Sequence, residues 1–408
     1  MDRPRPYLDY AATTPLDPRV QAAMMACYDD RGLAANPASP HQAGALAGET
    51  IDRATEAIRD YLGDPHWQVV WTSGATEADN LAILGTAEAL AQRRRGRDRI
   101  LVTATEHAAV TMAARAAASR HGFAVERLPV DAMGRLTPEV LADALDERVA
   151  LVSIAPVNNE TGVLQAMPAL APMVRNAGAL LHLDAAQAGG RVDAAVAAYD
   201  QADMVSLSGH KFYGPKGIGA LCLRPSVRVA PQLHGGGQQQ GMRSGTLPMP
   251  LIAGLGEAFR LADDAAERDR QWSLRDGLLT GLAPLGGVVL NTPTQASPHI
   301  LSVSFAGVHG AALRAHLDGV DVGFGSACSS HEGASSVLRA MQRPEPLAHA
   351  TLRFSLGRFT RDTDITQAIG RVGETVDRLR RVSPVWRAFA GGQDIGALYS
   401  TTTPLDVA

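Results

Sequence analysis

Short apolar runs alternate with stretches of helical periodicity through the middle of the chain. The runs have the length of strands, and the stretches between them repeat their apolar positions at helical spacing. The predicted strands are residues 99–103, 149–154, 180–183, 204–207 and 218–223, with helices at 110–121 and 138–145 among the connections. This alternation is typical of a mainly parallel sheet with helices on both faces, so the pattern predicts an α/β fold.

The flanking segments predict further elements and a second structural unit. Before the alternating region the predicted elements are a strand-like piece at 7–14, a helix ending at 28, a helix at 42–62 and a strand at 68–71. After it they are a long connecting helix at 251–271, a strand at 300–305, a helix at 310–317, a strand at 352–358 and a tail helix at 365–381. A chain of 408 residues has room for roughly two domains. We predict a large domain at 16–260 and a smaller α/β domain formed by 1–15 with 261–408.

The composition narrows the classes of partner. Hydrophobic residues make up 46% of the chain and charged residues 20%, as in ordinary globular proteins. A formal net charge of -4 gives no electrostatic reason to expect nucleic acid or an anionic membrane as the main partner. The first residues lack the apolar stretch of a signal peptide and no run reaches membrane-spanning length, so we expect a cytoplasmic protein. Cys27, Cys222 and Cys328 form neither a disulfide framework nor a spaced metal site, so we expect reduced thiols and no metal.

Polar residues follow four successive predicted strands. They are Glu106 and His107, then Asn158 and Asn159, then Asp184 and Gln187, and finally Ser208, His210 and Lys211. Each alone has a structural explanation as a cap, a turn or a satisfied histidine. Ligands of parallel sheets bind at the carboxyl ends of the strands, so four such coincidences favour one shared site.

Lys211 is the residue around which this site is organised. It lies where a short apolar run breaks into a loop rich in glycine and proline, so we expect its amine in a dry pocket. A desolvated lysine with hydroxyl and imidazole neighbours can attack an aldehyde and form a Schiff base. A surface lysine in a turn is the alternative, and it would be favoured if this motif stood alone.

The other candidate groups indicate the ligand. Asp184 can hold a protonated pyridine nitrogen, and the imidazole of His107 can stack on a ring. The turn at 72–80 is rich in hydroxyls and glycine and opens a predicted helix, which suits a phosphate as well as it suits an ordinary N-cap. Together with Lys211 these are the parts of a pyridoxal phosphate site. The sequence contains neither the dinucleotide-binding glycine pattern nor a P-loop.

Three features of the second half add to the site. Cys328 lies in a Gly/Ser-rich loop at 323–336 without apolar periodicity, which is the setting of a reactive thiol. Arg353 follows in a predicted strand and can hold a carboxylate through its fork, although a structural ion pair is an equal alternative. The segment 234–246 is either a flexible linker or an anion-binding loop formed by Arg243, Ser244 and Thr246.

Stretches along nearly the whole chain resemble, in order, the motifs of the NifS/IscS-type cysteine desulfurases. They are Tyr-Leu-Asp-Tyr-Ala-Ala-Thr-Thr at 7–14, Asn-Pro-Ala-Ser at 36–39, Thr-Ser-Gly-Ala-Thr-Glu-Ala-Asp-Asn at 72–80, Thr-Glu-His at 105–107, Val-Asn-Asn-Glu-Thr-Gly at 157–162, Ser-Gly-His-Lys at 208–211, Gly-Met-Arg-Ser-Gly-Thr at 241–246, Gly-Ser-Ala-Cys at 325–328 and Leu-Arg-Phe-Ser-Leu-Gly-Arg-Phe-Thr at 352–360. The resemblance implies a homodimeric transferase of fold-type I that depends on pyridoxal 5'-phosphate. It also implies a mainly parallel seven-stranded sheet and a smaller α/β domain that carries the catalytic-cysteine loop.

The resemblance assigns roles by position. It implies Lys211 as the Schiff-base lysine, Asp184 as the partner of the pyridine nitrogen and His107 as the stacked imidazole. Gln187 and Asn159 are implied near the ring hydroxyl. The implied phosphate-end ligands are Ala75, Thr76, Ser208, His210 and, from the neighbouring subunit, Thr246.

The implied reaction converts L-cysteine to L-alanine. Arg353, Asn36 and Asn159 are implied at the substrate, Lys211 removes the Cα proton, and the Cys328 thiolate takes the sulfur as a persulfide. His107 moves the proton of the substrate thiol. The sulfur then passes to an acceptor protein that meets the Cys328 loop and the C-terminal tail.

Alternatives remain for the reaction and for the acceptor. A selenocysteine lyase or an aminotransferase shares this fold, although an aminotransferase needs no loop cysteine, and a non-catalytic sulfur-relay scaffold would need no intact cofactor site. The acceptor pathways left open are iron–sulfur cluster assembly, RNA thiolation, DNA modification and a specialised biosynthesis. The tail at 382–395 resembles the segment that docks scaffold proteins in relatives, which favours the first. The stretch after Cys328 at 329–333 departs from the pattern of the family and is one residue shorter, in the loop that the acceptor meets.

Overall fold

The fold was obtained as a computed structural model. It describes residues 5–29, 35–93, 96–193, 197–262, 264–324, 334–401, 403 and 405–408. The strands are β1 (Tyr7–Leu8), β2 (Gln68–Thr72), β3 (Arg99–Thr103), β4 (Ala124–Leu128), β5 (Val149–Ile154), β6 (Leu180–Asp184), β7 (Met204–Ser208), β8 (Gly219–Leu223), β9 (Val288–Leu290), β10 (Ile300–Phe305), β11 (Asp321–Phe324), β12 (Thr351–Ser355) and β13 (Asp406–Val407). The helices are α1 (Pro18–Asp29), α2 (Gln42–Leu62), α3 (Ala75–Arg93), α4 (Ala108–His121), α5 (Pro138–Ala144), α6 (Met167–Asn176), α7 (Met249–Arg260), α8 (Ala265–Leu282), α9 (Gly310–His316), α10 (Ser336–Ala340), α11 (Glu345–His349), α12 (Asp362–Arg380), α13 (Pro384–Ala390) and α14 (Ile395–Leu398).

The larger sheet has seven strands in the order β2-β8-β7-β6-β5-β3-β4. The five strands from β7 to β4 are mutually parallel, whereas β8 runs antiparallel to both of its neighbours. The prediction of a mainly parallel seven-stranded sheet is therefore confirmed. The apolar runs that predict β5 and β7 are buried at every position, as strands covered on both faces must be.

Strand β4 is the one strand of this sheet that the apolar pattern does not predict. It lies at the sheet edge, and within Ala124–Leu128 only Leu128 is buried. An edge strand faces solvent over much of its length, so its sequence lacks the continuous apolar character by which the other strands are recognised.

The smaller sheet has six strands in the order β1-β11-β12-β10-β9-β13. It joins both ends of the chain, because β1 from the N-terminal segment pairs in parallel with β11, and β13 from the C-terminal segment pairs with β9. The pairs among β9 to β12 are antiparallel. This arrangement carries the segment around residues 7–14 to the boundary between the two sheets.

The predicted helix at 251–271 is wrong as a single element. Helix α7 ends at Arg260 and α8 begins at Ala265, with Asp264 as its N-cap. The Asp264 side chain accepts a hydrogen bond from the backbone N–H of Glu267 at 3.0 Å, which satisfies one of the free donors at the start of a new helix. Helix α2, in contrast, keeps its predicted bounds and ends at Gly63 with φ of 75°, a left-handed cap that glycine adopts without strain.

Close packing of α2 against α7 supports one side of the larger sheet. A Cβ atom added at Gly256 would lie 2.6 Å from the Cβ of Ala54, so glycine at this position allows the two backbones to approach. Ile58 and Ile252 are fully buried in the same core, and each contributes roughly 1.5–3 kcal/mol of burial free energy. None of the helices that the structure describes is long and apolar enough to cross a membrane.

Candidate active site

A cavity of about 500 Å³ lies at the carboxyl ends of the central strands. Its walls come from the segments after β3, β5, β6 and β7, from the turn before α3, and from the N-terminal segment. The residues of the sequence prediction that line it are Ala75, Thr76, His107, Asn159, Asp184, Gln187, Ser208, His210, Lys211 and Arg353. The side chains predicted at separate strand ends therefore share one cavity.

Lys211 projects into the cavity from the turn that follows β7. A short 3-10 turn at Gly209–Lys211 ends the strand, and the lysine Nζ donates hydrogen bonds of 2.9 Å to the backbone carbonyls of Ala11 and Ala12. The amine is thus held by the N-terminal segment inside the cavity.

Asp184 is the last residue of β6 and is buried. Burial raises the pKa of its carboxyl, and the backbone N–H of Ala186 opposes that rise, as do the charges of His107 and Lys211. The N–H of Ala186 donates to Asp184 Oδ1 at 3.0 Å. A buried carboxyl beside cationic groups can hold a protonated ring nitrogen as an ion pair.

A buried polar cluster lies behind Asp184. Asp79 is fully buried, and the Nε2 atom of His182 lies 3.7 Å from Asp79 Oδ1. His182 also contacts the hydroxyls of Ser153 at 2.8 Å and Ser206 at 2.9 Å. Burial lowers the pKa of His182 to about 3, so its imidazole is neutral near pH 7, and burial raises the pKa of Asp79 well above its usual range.

His107 caps the first turn of α4. Its Nδ1 accepts a hydrogen bond of 3.1 Å from the backbone N–H of Ala109, so a neutral ring carries its proton on Nε2. The neighbouring Glu106 is buried, and its Oε1 accepts hydrogen bonds from the Thr103 hydroxyl and from the backbone N–H of Ala155. Burial raises the pKa of Glu106 to about 8.

The N-terminus of α3 forms one end of the cavity. The first amide groups of a helix have no acceptor within the helix, so those of Ala75 and Thr76 are available to an anion. Gly74 and Gly219 pack directly against each other, and a Cβ at Gly219 would lie 2.7 Å from the Cα of Gly74. This contact fixes the turn that precedes the helix.

His210 and Lys216 add to the same region of the cavity. His210 Nδ1 lies 3.1 Å from the Thr13 hydroxyl, and burial, with the charges of Lys211 and Lys216, lowers the pKa of His210 to about 4. The imidazole is therefore neutral near pH 7, while Lys216 supplies a cation that the sequence analysis did not single out.

Arg243 does not leave its charge for an anion. Its Nε donates to Glu77 Oε1 at 2.7 Å, so the loop at 234–246 is tied to the first turn of α3. This ion pair occupies Arg243, and the role of the loop in binding an anion stays a prediction for Ser244 and Thr246. Thr246 is exposed and does not line the cavity.

Asn36 is a predicted site residue that does not line the described cavity. Asn36 is exposed, and its Oδ1 accepts a hydrogen bond from the backbone N–H of Ala38 at 2.9 Å within the Asn-Pro turn. Cys328 and residues 325–333 around it lie outside the described residues.

The N-terminal segment is the part of the site that sequence reasoning missed. Ala11, Ala12 and Thr13 line the cavity, and the carbonyl of Ala11 also accepts a hydrogen bond of 2.8 Å from Gln187 Nε2. These contacts use backbone carbonyls, which no side-chain pattern reveals. The available signal was the polar and aromatic stretch at 7–14, which precedes two prolines and lacks a core pattern.

The residues present suit pyridoxal phosphate. An amine, a buried carboxyl and an imidazole surround the middle of the cavity, and a helix N-terminus closes one end. Among the residues that the structure describes, no group of three or more His, Cys, Asp or Glu side chains could hold a metal ion.

Comparison with known proteins identifies the family. Residues 6–367 match the family model of aminotransferase class V. Over 399 residues the chain is 44% identical to cysteine desulfurase IscS of Pectobacterium atrosepticum, covering 96% of this chain and 98% of the relative. The chain belongs to the cysteine desulfurase branch of the aminotransferase class-V family. Cysteine desulfurase IscS of Escherichia coli O139:H28 is 43% identical over the same shares of the two chains.

Solved structures support the same placement of this desulfurase. A NifS-like protein superposes with a TM-score of 0.82 at 32% identity, covering 92% of this chain and all of that one. DndA from Streptomyces lividans superposes with a TM-score of 0.71 at 36% identity, covering 86% of this chain and 99% of that one. The resemblance inferred from the motifs and the fold-type I architecture are both confirmed.

Proposed function

We propose that this desulfurase converts L-cysteine to L-alanine with bound pyridoxal 5'-phosphate and passes the sulfur on from Cys328. The observation that carries the proposal is the meeting of Lys211, Asp184 and His107 in one cavity closed by a helix N-terminus. When bound, the cofactor supplies an electron sink for the electrons released at the substrate Cα.

The cavity residues divide between the two ends of the cofactor. Asp184 holds the ring nitrogen, His107 stacks on the ring, and Asn159 and Gln187 lie near the ring hydroxyl. The phosphate is bound by Ala75, Thr76, Ser208, His210 and, across a homodimer, Thr246 of the neighbouring subunit. The exposure of Thr246 in the single chain agrees with a role at a subunit boundary.

Proton movements run through two side chains. Lys211 leaves its contacts with Ala11 and Ala12 and takes the substrate Cα proton at Nζ. Nδ1 of His107 accepts the N–H of Ala109, so Nε2 carries the proton of the neutral ring, and His107 can accept the substrate thiol proton at Nε2 only after that proton has been given up.

Sulfur transfer is assigned to Cys328. Its thiolate attacks the substrate sulfur, and the new S–S bond forms as the carbon–sulfur bond of the substrate breaks. The electrons of the broken bond stay with the substrate carbon, which is protonated to give L-alanine. Arg353 and Asn159, which both line the cavity, bind the substrate carboxylate. The family resemblance assigns Asn36 to the same substrate site, and in the single chain this residue is exposed outside the cavity.

The sulfur acceptor that we propose is an iron–sulfur cluster scaffold protein in the cytoplasm. The IscS relatives and the tail at 382–395 support this choice over the other acceptor pathways. The buried, unpaired thiols of Cys27 and Cys222 agree with a reducing compartment. We also propose the domain division at 16–260 and at 1–15 with 261–408, supported by the separate sheets and by β1 in the smaller one.

The experiment that tests the proposed function is Cys328→Ala, with Cys27→Ala as the matched control. We expect Cys328→Ala to keep the visible absorbance of the cofactor and to lose sulfide formation by at least roughly a hundredfold. Cys27→Ala should keep both, because that thiol is buried and bonds only to a helix carbonyl. Retained desulfuration in Cys328→Ala would overturn sulfur transfer through Cys328, and a colourless protein that cannot be reconstituted would favour a non-catalytic scaffold.

A further inference from the structure

Arg353 is fixed from two directions. It is 4% exposed, and its Nη2 lies 2.6 Å from Asp9 Oδ1 in an ion pair. Its Nη1 donates to the backbone carbonyl of Asn159 at 2.9 Å. Arg353 lines the cavity, whereas Asp9 is not among the lining residues. Asp9 therefore contacts the guanidinium of Arg353 on the side that faces away from the cavity.

The segment that carries Asp9 is itself anchored. The hydroxyl of Tyr7 donates to the carbonyls of Asp9 at 3.1 Å and Thr13 at 2.8 Å. Burial and the neighbouring Asp9 raise the pKa of Tyr7 to about 12, so this hydroxyl keeps its proton and remains a donor. Asp9 also bridges to Ser355, two residues beyond Arg353 on β12. The distance between carboxylate and guanidinium is thus set by two paired backbone segments.

The guanidinium retains donors that the protein does not use. Arg353 Nε is buried and has no hydrogen-bond partner among the described residues, and each terminal nitrogen has donated only one of its two protons. A buried donor without an acceptor costs free energy, which indicates that a ligand supplies the acceptor.

Gly323 leaves room for this arrangement. It pairs with Arg353 across β11 and β12, and a Cβ at this position would lie 2.8 Å from both Nε and Nη2 of the arginine. The guanidinium of Arg353 therefore lies directly over Gly323. A side chain at residue 323 would collide with its nitrogen atoms.

We propose that Asp9 is a positioning residue that orients Arg353 for the substrate carboxylate. This inference rests on the proposed function. A carboxylate bound in a fork needs the guanidinium plane at a fixed angle, and a free arginine side chain samples many rotamers. Asp9 removes that freedom without contacting the substrate, so its effect depends on whether the ligand has a carboxylate.

The test compares two ligands on the holoenzyme. The dissociation constants of L-alanine and of L-alaninamide, in which a neutral amide replaces the carboxylate, are measured from the change in the visible band. In Asp9→Ala we expect binding of L-alanine to weaken about tenfold or more, and binding of L-alaninamide to change less than about twofold. Asp9→Asn keeps an acceptor for Nη2 and should lie between wild type and Asp9→Ala.

Each outcome supports or overturns a specific statement. Equal weakening of both ligands would mean a general structural role and would overturn the positioning role, as would unchanged L-alanine binding. If Asp9→Ala does not fold, the same comparison in Asp9→Asn decides the question. A wild-type holoenzyme whose visible band responds to no amino acid contradicts the proposed function, whereas a normal wild-type response with either overturning result in the variants contradicts only the role of Asp9.

Discussion

At the residue scale, the region around Asp184 contains two further buried carboxyl groups to which the proposed reaction assigns no role. Asp79 and Glu106 are both buried near Asp184, and burial raises the pKa of each. Burial raises the pKa of Asp184 as well, but the charges of His107 and Lys211 oppose that rise, which favours Asp184 as the carboxylate that faces the ring nitrogen. The cluster therefore adds a pH-dependent contribution to stability.

We expect Glu106→Gln to flatten the pH dependence of thermal unfolding between pH 6 and pH 8. The pKa of Glu106 is about 8 in the folded chain and lower in the unfolded chain, so its stabilising protonation is complete at acid pH and lost as pH rises toward 8. The wild-type midpoint should fall over this interval by a few degrees more than the midpoint of the variant. Glutamine keeps Oε1 for Thr103 and Ala155 and places its amide where Oε2 has no partner among the described residues.

The matched control for this comparison is Glu147→Gln, an exposed position before β5. It should keep the pH slope of the wild type. An equal slope in wild type and Glu106→Gln would show that Glu106 does not hold its proton in the folded state.

At the scale of elements, the sequence predicts the strands that are formed by apolar runs and the site residues whose side chains lie at strand ends. The buried central strands and the residues that follow them, such as Asp184 and Lys211, are predictable for that reason. The edge strand β4 and the break at Asp264 are not, because the first lacks an apolar run and the second depends on a single cap. The carbonyls of Ala11 and Ala12 are contributed by the backbone, and only the tertiary fold brings them to Lys211.

We expect Gly219→Ala to weaken cofactor binding by roughly tenfold, the equivalent of about 1.4 kcal/mol. The added Cβ would meet the Leu207 carbonyl and lie 2.7 Å from the Cα of Gly74, which displaces the turn before α3. The measurement is the titration of the apoprotein with pyridoxal phosphate by absorbance.

Gly277→Ala in α8 is the control, since an added Cβ there has no atom within 4 Å. It should bind the cofactor as the wild type does and gain slightly in stability through its helix propensity. If Gly219→Ala bound pyridoxal phosphate with unchanged affinity, the packing of β8 against Gly74 would not contribute to phosphate binding.

At the scale of the whole molecule, the C-terminal tail packs on its own domain. The guanidinium of Arg380 lies 3.6 Å from the ring centre of Trp386 and donates to the carbonyls of Leu285, Gly286 and Ala306. Packing against Arg380 therefore accounts for Trp386, whereas the side chain of Val382 is 78% exposed. Truncation at Pro384 removes Trp386 but leaves Val382, so a point variant is needed to test Val382 itself.

We expect Val382→Asp to weaken binding of an iron–sulfur scaffold protein by roughly tenfold while desulfuration of free L-cysteine stays unchanged. A charge at an exposed apolar contact disfavours docking and leaves the distant cavity intact. Gly370→Asp, which adds the same charge at an exposed position within α12, is the control for calorimetric binding. Unchanged scaffold binding in Val382→Asp, or after truncation at Pro384, would argue against the tail as a docking segment.

The most direct measurement of the central claim follows both products of one reaction. The absorbance spectrum of the purified protein is recorded, L-cysteine and a reductant are added, and L-alanine and sulfide are quantified together. We expect a yellow protein that releases the two products in equal amounts, because each carbon–sulfur bond that breaks gives one of each. A yellow protein that releases neither product, or L-alanine without sulfide, would contradict the assignment of sulfur transfer to this site.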